Sequence, residues 1–252
     1  MKKVFLSVVI PAYNEEKNLK LGVLEKVANY LKKQRYSWEV ILVDDGSTDS
    51  TAAILESFAS KNKGFRVLKE PHRGKGGTVI AGMLAAKGRI VLFTDMDQAT
   101  PISEIEKLLP KFKKGVDIAI GSRTGRKGAS FVRKAMAYGF MILRTLILRL
   151  PYKDTQCGFK AFKKETIRPI FERMKVFREN QSVKGAAVTA GFDLELLYIA
   201  RKLNFKVSEV PVFWQNVGDR GESGVNPLKD SWQGFRDLMK VRINAFLGKY
   251  GV

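Results

Sequence analysis

Two residue types that build most metal and redox sites are almost missing from this chain of 252 residues, which has one cysteine, Cys157, and one histidine, His72. A single cysteine excludes an intramolecular disulfide and a cysteine-built metal cluster, and it fits a reducing compartment. A single histidine excludes a zinc site made of several imidazoles. Long apolar runs are missing as well. No segment reaches the roughly 18 uninterrupted apolar residues of a spanning helix, so any contact with a membrane is expected to be peripheral. Negative charge is also short: 25 Asp+Glu against 45 Lys+Arg leave a formal charge of +20. Such a field gathers polyanions, and nucleic acid, an acidic membrane surface and phosphorylated substrates all fit it.

What is present is ordinary for a folded protein, with 45% hydrophobic and 28% charged residues. The length suits one large α/β domain. Short Val- and Ile-rich runs predict strands at Leu6 to Ile10, Glu39 to Val43, Arg66 to Leu68, Arg89 to Thr94 and Val116 to Ile120. The first run follows two lysines, as in a minimal signal peptide, but Pro11, Asn14 and two glutamates come next, so it reads as a buried strand. Segments of helical period lie between the strands, around Glu15 to Lys33, Thr48 to Ser60, Gly76 to Ala86 and Ile102 to Phe112. Strand and helix in alternation predict a mostly parallel sheet covered on both faces, with a Rossmann-like first half. Beyond Gly121 come a long helix from about Phe131 to Leu150, short mixed elements and a C-terminal helix from about Pro227 to Lys249. The polar stretch Arg178 to Gly185 reads as a mobile loop, and Lys153 through Phe192 is expected to complete the site.

In open sheets of this kind ligands bind beyond the carboxyl ends of the strands. Three such ends carry chemistry. Asp95-Met96-Asp97 ends the fourth strand, and two carboxylates there can hold a divalent ion while leaving positions for a diphosphate. Asp44-Asp45-Gly46-Ser47-Thr48-Asp49 ends the second, and reads equally as a turn with an N-cap from Ser47 or Asp49. Pro11-Ala12-Tyr13-Asn14-Glu15 ends the first and could be a turn with Tyr13 in the core. Gly74-Lys75-Gly76-Gly77 could cradle phosphate at a helix N-terminus, although it lacks the spacing of a P-loop.

Val9 to Glu15, Val43 to Asp49 and Asp95-x-Asp97 together resemble the signature of family 2 glycosyltransferases, whose fold is GT-A. Arg73 to Thr78, Gly121-Ser122-Arg123, Asp154 to Lys160 and Phe192 to Ala200 narrow the resemblance to dolichyl-phosphate β-glucosyltransferases, relatives of the dolichyl-phosphate mannose synthases. The resemblance implies one GT-A domain over 1–252, with a nucleotide-sugar half (1–121) and an acceptor- and membrane-facing half (122–252). It implies an inverting transfer of hexose, UDP-glucose being the preferred donor, onto dolichyl or another polyprenyl phosphate. Pro11, Ala12, Tyr13, Glu15, Asp44, Asp45, Lys75, Asp95 and Met96 would border the donor. Asp95 and Asp97 would hold Mg2+ or Mn2+, and Arg123, Arg133 and Arg220 would meet the acceptor phosphate. Asp97, Arg123, Arg133 and Asp193 would stand at the reacting groups. Asp193 reads equally as a helix N-cap. The implied location is the cytoplasmic face of a membrane, with no transmembrane helix and no nucleic acid as partner.

The long helix bears on the acceptor. At ~100° per residue Arg133 and Arg144 lie about 20° apart, with Lys134 and Arg149 toward the same half and an apolar face opposite. Such a helix can lie in a membrane interface with its arginines at the headgroups, or pack as an ordinary amphipathic core helix. The C-terminal helix carries the same two readings. Cys157 reads as a packed thiol and His72 as a loop residue. Three other functions stay open: a glycosyltransferase with a soluble or polymeric acceptor, a nucleotidyltransferase, and a basic nucleic-acid-binding protein.

Overall fold

The computed structural model of the protein describes residues 3–124, 131–176, 190–215 and 227–252. The segment 178–185 and Arg220 lie outside the described residues, as does the side chain of Arg133.

The apolar runs become strands because each presents alternate residues to two covered faces. In β1 (Leu6–Ala12) and β2 (Trp38–Asp44), Val8, Ile10, Val40 and Leu42 point one way and Val9, Ile41 and Val43 the other, all fully buried. The remaining strands are β3 (Phe65–Lys69), β4 (Ile90–Phe93), β5 (Ile118–Thr124), β6 (Lys160–Lys163) and β7 (Val207–Phe213). They form one seven-stranded sheet in the order β3-β2-β1-β4-β6-β5-β7. All neighbours are parallel except β6, which runs antiparallel to both β4 and β5.

On the Val8 face pack α1 (Glu16–Lys20), α2 (Val23–Lys32), α3 (Thr51–Lys61) and α5 (Ile105–Lys113). On the Val9 face pack α4 (Gly74–Ala85), α6 (Phe131–Leu148), α7 (Lys164–Phe171), α8 (Ala190–Lys202) and α9 (Pro227–Phe246). The chain leaves β1 toward β2 on one side and returns to β4 on the other. The ends of β1, β2 and β4 therefore share one mouth at the switch of strand order. Beyond Val9 opposite Phe93, β4 stops pairing with β1, which continues beside β2 alone. Pro11 sits on that one-sided stretch, where a missing N–H is tolerated.

Three expectations change. The helix expected over Glu15 to Lys33 is two helices, broken at Gly22, whose φ of 70° is left-handed. Strands β6 and β7 replace what read as short mixed elements. Lys-Ala-Phe-Lys is too short and too basic to announce a buried strand, and β7 alternates buried and open residues along the sheet edge, with Glu209 and Pro211 inside it. The face that α6 turns inward also differs from the headgroup reading. Arg144 is buried, with Nη1 donating to Thr155 Oγ1 at 2.7 Å and Nη2 to the Tyr152 carbonyl. It fastens the helix to the segment that follows instead of facing out, because Phe140, Leu143 and Ile147 occupy the inner face beside it.

A polar seam locks the opposite end of the sheet. Glu39 is buried and accepts from Ser7 Oγ and the Lys87 N–H, each at 2.6 Å, and from Arg66 Nε at 3.3 Å. Burial opposes its charge, but these donors outweigh that and hold its pKa below the ordinary glutamate value. Glu39→Ala strands the donors and is expected to remove about 2–4 kcal/mol of stability. A carboxylate with a depressed folded pKa stabilises above its unfolded value of about 4.3 and loses that contribution as pH falls through the folded one. Urea melts should therefore show a wide gap between Glu39→Ala and the unaltered chain at pH 7, narrowing toward pH 3.

Candidate active site

The first two loops of the mouth are bolted together. Asn14 adopts a left-handed φ of 53°. Its N–H donates to Ser47 Oγ at 3.1 Å, and its Oδ1 accepts the Thr48 N–H at 2.9 Å. The Glu15 N–H donates to Thr51 Oγ1 at 2.7 Å, and Asp49 Oδ1 accepts the Thr51 N–H at 2.9 Å. Helix α3 starts one turn later than expected with Ser50 at its N-cap and no side-chain capping bond, so neither Ser47 nor Asp49 supplies the cap, and Asp49 instead closes a short turn onto Thr51. Asp44 is buried and accepts the Ser47 N–H at 3.4 Å through both oxygens.

Asp45 is also buried, and both of its oxygens are engaged. Oδ1 accepts the Arg73 N–H at 2.8 Å, and Oδ2 lies 2.9 Å from His72 Nδ1. The His72 ring stacks on Tyr13 with centroids 4.1 Å apart and planes at 14°. Tyr13 is half-buried against this imidazole and not part of the apolar core. His72 is more than a loop residue: it joins the first and second loops through one carboxylate and one ring.

Asp95-Met96-Asp97 follows β4 after the single residue Thr94. Met96 is buried in the core, and that anchors the tripeptide while both aspartates stay half-exposed. Gln98 turns the chain through a left-handed φ of 52°, with Nε2 donating to the Asp95 carbonyl at 2.8 Å. Asp97 Oδ1 accepts the Ala99 N–H at 2.9 Å. Asp95 Oδ1 lies 2.5 Å from Lys75 Nζ at the start of α4. Gly158 lies directly against Asp95, so that a Cβ there would stand 2.1 Å from Oδ2. Only glycine admits so close an approach.

Among the described residues no three carboxylate, imidazole or thiol groups gather as a cage for an ion. The half-exposed pair at the strand end therefore offers only part of an all-oxygen shell. That suits Mg2+ or Mn2+ shared with a diphosphate and does not suit a closed protein site.

The electrostatics are those of a partly dry cleft. Burial raises the Glu15 pKa, with Asp97 and Asp95 adding to it against the hydrogen bond from Asn18. Burial opposes the charge on Lys75, but Asp95, Asp193 and Asp97 outweigh it and raise its pKa. Asp193 is pushed up by burial, with Lys160 opposing. Its Oδ1 lies 2.7 Å from Lys160 Nζ, and α8 already begins at Ala190. Asp193 is therefore not the N-cap: it sits inside the first turn and turns toward the sheet.

The second half of the chain closes the cleft. Arg123, near the end of β5, donates Nε and Nη2 to Asp154 at 2.6 and 2.9 Å, a two-pronged pair. Its guanidinium also lies 5.9 Å from the Trp214 ring centre. The backbone N–H groups of Lys153 and Asp154 donate to Glu209 at 2.9 and 2.7 Å, so the segment carrying Asp154 is tied to β7. A recess of ≈ 50 Å³ lies between Asp95, Thr100, Arg123, Gln156, Gly158 and Trp214. Arg123 and Asp95 thus share one cavity. Cys157 is buried beneath it, and burial raises its pKa, as expected of a packed thiol. Asp154, Gln156, Lys160 and Trp214 were not singled out as site residues by spacing. Only the family-like run Asp154 to Lys160 pointed at three of them.

Residues 7–171 match the family model described as Glycosyl transferase family 2. A dolichyl-phosphate β-glucosyltransferase of Dictyostelium discoideum is 35% identical over 263 residues, covering 97% of this chain and 76% of the relative. The dolichyl-phosphate β-glucosyltransferase of Saccharomyces cerevisiae is 32% identical, with 99% and 77% covered. Among solved structures, mannosyl-3-phosphoglycerate synthase from Rubrobacter xylanophilus superposes with a TM-score of 0.67 at 18% identity, covering 96% of this chain and 75% of that one. Glucosyl-3-phosphoglycerate synthase from Mycobacterium tuberculosis, with Mn2+, UDP and glucosyl-3-phosphoglycerate bound, superposes with a TM-score of 0.58 at 20% identity, covering 94% and 80%. The fold is GT-A, and the chain belongs to glycosyltransferase family 2.

Proposed function

We propose that the protein is an inverting hexosyltransferase that moves glucose from UDP-glucose to dolichyl or another polyprenyl phosphate. The observation that carries this reading is the shared recess of Asp95 and Arg123. It brings a carboxylate suited to a metal-bound diphosphate and a guanidinium suited to a second phosphate into the lining of one cavity. The β-glucosyltransferase relatives named above supply the sugar and the acceptor class.

In this reading residues 1–121 hold the nucleotide sugar and residues 122–252 face the acceptor and the membrane, with Asp193 of α8 reaching the sugar. The Tyr13 and His72 rings and the buried Asp44 and Asp45 shape the nucleoside end. Pro11 and Ala12 at the end of β1 and Glu15 in the loop after it border the donor, and Met96 fixes the end beyond β4. Asp95 and Asp97 would hold Mg2+ or Mn2+, which when bound neutralises charge on the departing diphosphate. Lys75 adds a fixed positive charge at the same place. Asp193 accepts from a sugar hydroxyl. The acceptor phosphate has a second pKa near about 6, so its oxygen arrives ionised and a strong general base is unnecessary. What it needs is cationic guidance, which Arg123, Arg133 and Arg220 provide.

The lipid half of the proposal has its own support. Tyr138, Ile142 and Leu146 recur every fourth residue on the open side of α6, with Leu146 72% exposed. Trp232, Ile243 and Phe246 are exposed on α9, which packs beside α6, with Phe246 at 83%. Apolar side chains gathered on two neighbouring helices suit the interface of a membrane, and the +20 charge suits an anionic one. No helix among the described residues is long and apolar enough to cross a membrane. In this reading the exposed faces of α6 and α9 seat the protein peripherally, on the cytoplasmic side of a membrane.

A UDP-release assay tests the whole reading, with several nucleotide sugars offered against polyprenyl phosphate in detergent and against free sugars, with Mn2+ or Mg2+. The expected result is release with UDP-glucose and polyprenyl phosphate at least tenfold faster than with any free sugar. Equal or faster release with a soluble sugar would sink the lipid acceptor.

A further inference from the structure

Lys160 is the least expected charge in the molecule. It begins β6 opposite Phe93 and is 0% exposed. A lysine so completely buried needs partners for its ammonium. It has three: Nζ donates to the Cys157 carbonyl at 2.5 Å and to Asp193 Oδ1 at 2.7 Å, and it lies 5.3 Å over the Phe93 ring. Each contact reaches an element that borders the cleft. Phe93 is the last residue of β4, two before Asp95, Cys157 precedes the Gly158 that lies against Asp95, and Asp193 belongs to the first turn of α8.

That first turn is held from the other side as well. A Cβ on Gly76 would stand 2.9 Å from Phe192 Cδ2, so the starts of α4 and α8 are in direct contact. Lys75, beside Gly76, is paired with Asp95 and feels Asp193. The four charges alternate from the open cleft into the protein: Asp95, Lys75, Asp193, Lys160. Three of them have some exposure, and Lys160 alone has none. Its position is set by packing, so it is the fixed end of the series.

We infer that Lys160 is a positioning residue for sugar transfer, which holds Asp193 in place, through the 2.7 Å contact of its Nζ with Oδ1, toward the hexose of the bound donor. This rests on the donor reading above, in which Asp193 accepts a sugar hydroxyl. Lys160 itself touches no substrate. Its effect falls on the sugar and not on the nucleotide, because Asp45 and Tyr13 lie on the far side of Asp95 from β6 in the strand order.

The test separates the two parts of the donor. Calorimetry with Mn2+ present, using UDP-glucose and UDP alone as probes, is run on the intact chain, on Lys160→Met and on Asp193→Asn, beside transfer kinetics with polyprenyl phosphate. The expected result for Lys160→Met is UDP-glucose binding at least fivefold weaker, UDP binding within twofold of unaltered, and kcat at least 30-fold lower. Asp193→Asn should show the same pattern. A folded Lys160→Met that binds UDP-glucose and transfers like the intact chain overturns the inference. Where Lys160→Met fails to fold, Lys160→Met/Asp193→Asn replaces the buried pair by two neutral groups and is compared with Asp193→Asn alone. Equal kcat within threefold supports action through Asp193, and a further loss of tenfold or more overturns it. An intact chain that shows no transfer with UDP-glucose speaks against the proposed function itself, which the unaltered protein reveals before any variant is made.

Discussion

Asp97→Ala is expected to lower transfer by about 10³-fold while leaving the fold intact. The loss follows from the role proposed for the metal: a cation neutralising charge on the leaving diphosphate contributes several kcal/mol to the transition state, and each 1.4 kcal/mol is about tenfold. Stability should change little, within about 1 kcal/mol, because Asp97 is half-exposed and the hydrogen bond from the Ala99 N–H is short-range. Asp95→Ala is a less clean test. It removes the partner of Lys75 at 2.5 Å and the wall against which Gly158 packs, so activity and structure would fall together. The check is UDP release at rising Mn2+, beside thermal melts. Asp97→Ala that regains full rate at high Mn2+ has lost affinity for the ion only. Asp97→Ala that is fully active at low Mn2+ removes the metal site from the proposal.

The sheet was legible because its signal is local. Val8 to Ile10 and Val40 to Val43 are continuous apolar runs, and only a strand covered on both faces consumes every residue of such a run. The polar ends of β1, β2 and β4 could be placed at one mouth from alternation alone. What the sequence concealed is pairing across distance. Arg123 reads as a free cation in a basic chain, and nothing in the spacing says that Asp154, 31 residues away, holds it in a fork. Arg144 reads as a headgroup arginine by helical angle, yet Thr155 and Tyr152 claim it. Lys160 sits in a four-residue strand that no periodicity announces. Charged residues carry no pattern that tells a solvated face from a buried pair, so the acceptor half of the cleft stayed less readable than the donor half.

That fork carries the second large prediction. Arg123 and Asp154 are mostly buried, with side-chain exposures of 19% and 9%, and a pair at such burial is costly to break on one side only. Asp154→Ala leaves the guanidinium uncompensated beside Trp214 and frees the Lys153-Asp154 turn from part of its bonding. Stability is expected to fall by about 3 kcal/mol. Transfer should fall about 100-fold, since a guanidinium released from its fork no longer holds one orientation toward the acceptor phosphate. The loss should appear in kcat/KM for polyprenyl phosphate, with the KM for UDP-glucose unchanged within threefold. Arg123→Lys should lose nearly as much, because an ammonium cannot form the planar two-pronged pair. If the two residues act as one unit, Arg123→Ala/Asp154→Ala will be little slower than either single variant. Multiplying losses in that double variant, or a raised donor KM in Asp154→Ala, would instead put Asp154 on the donor side of the cleft and separate it from Arg123.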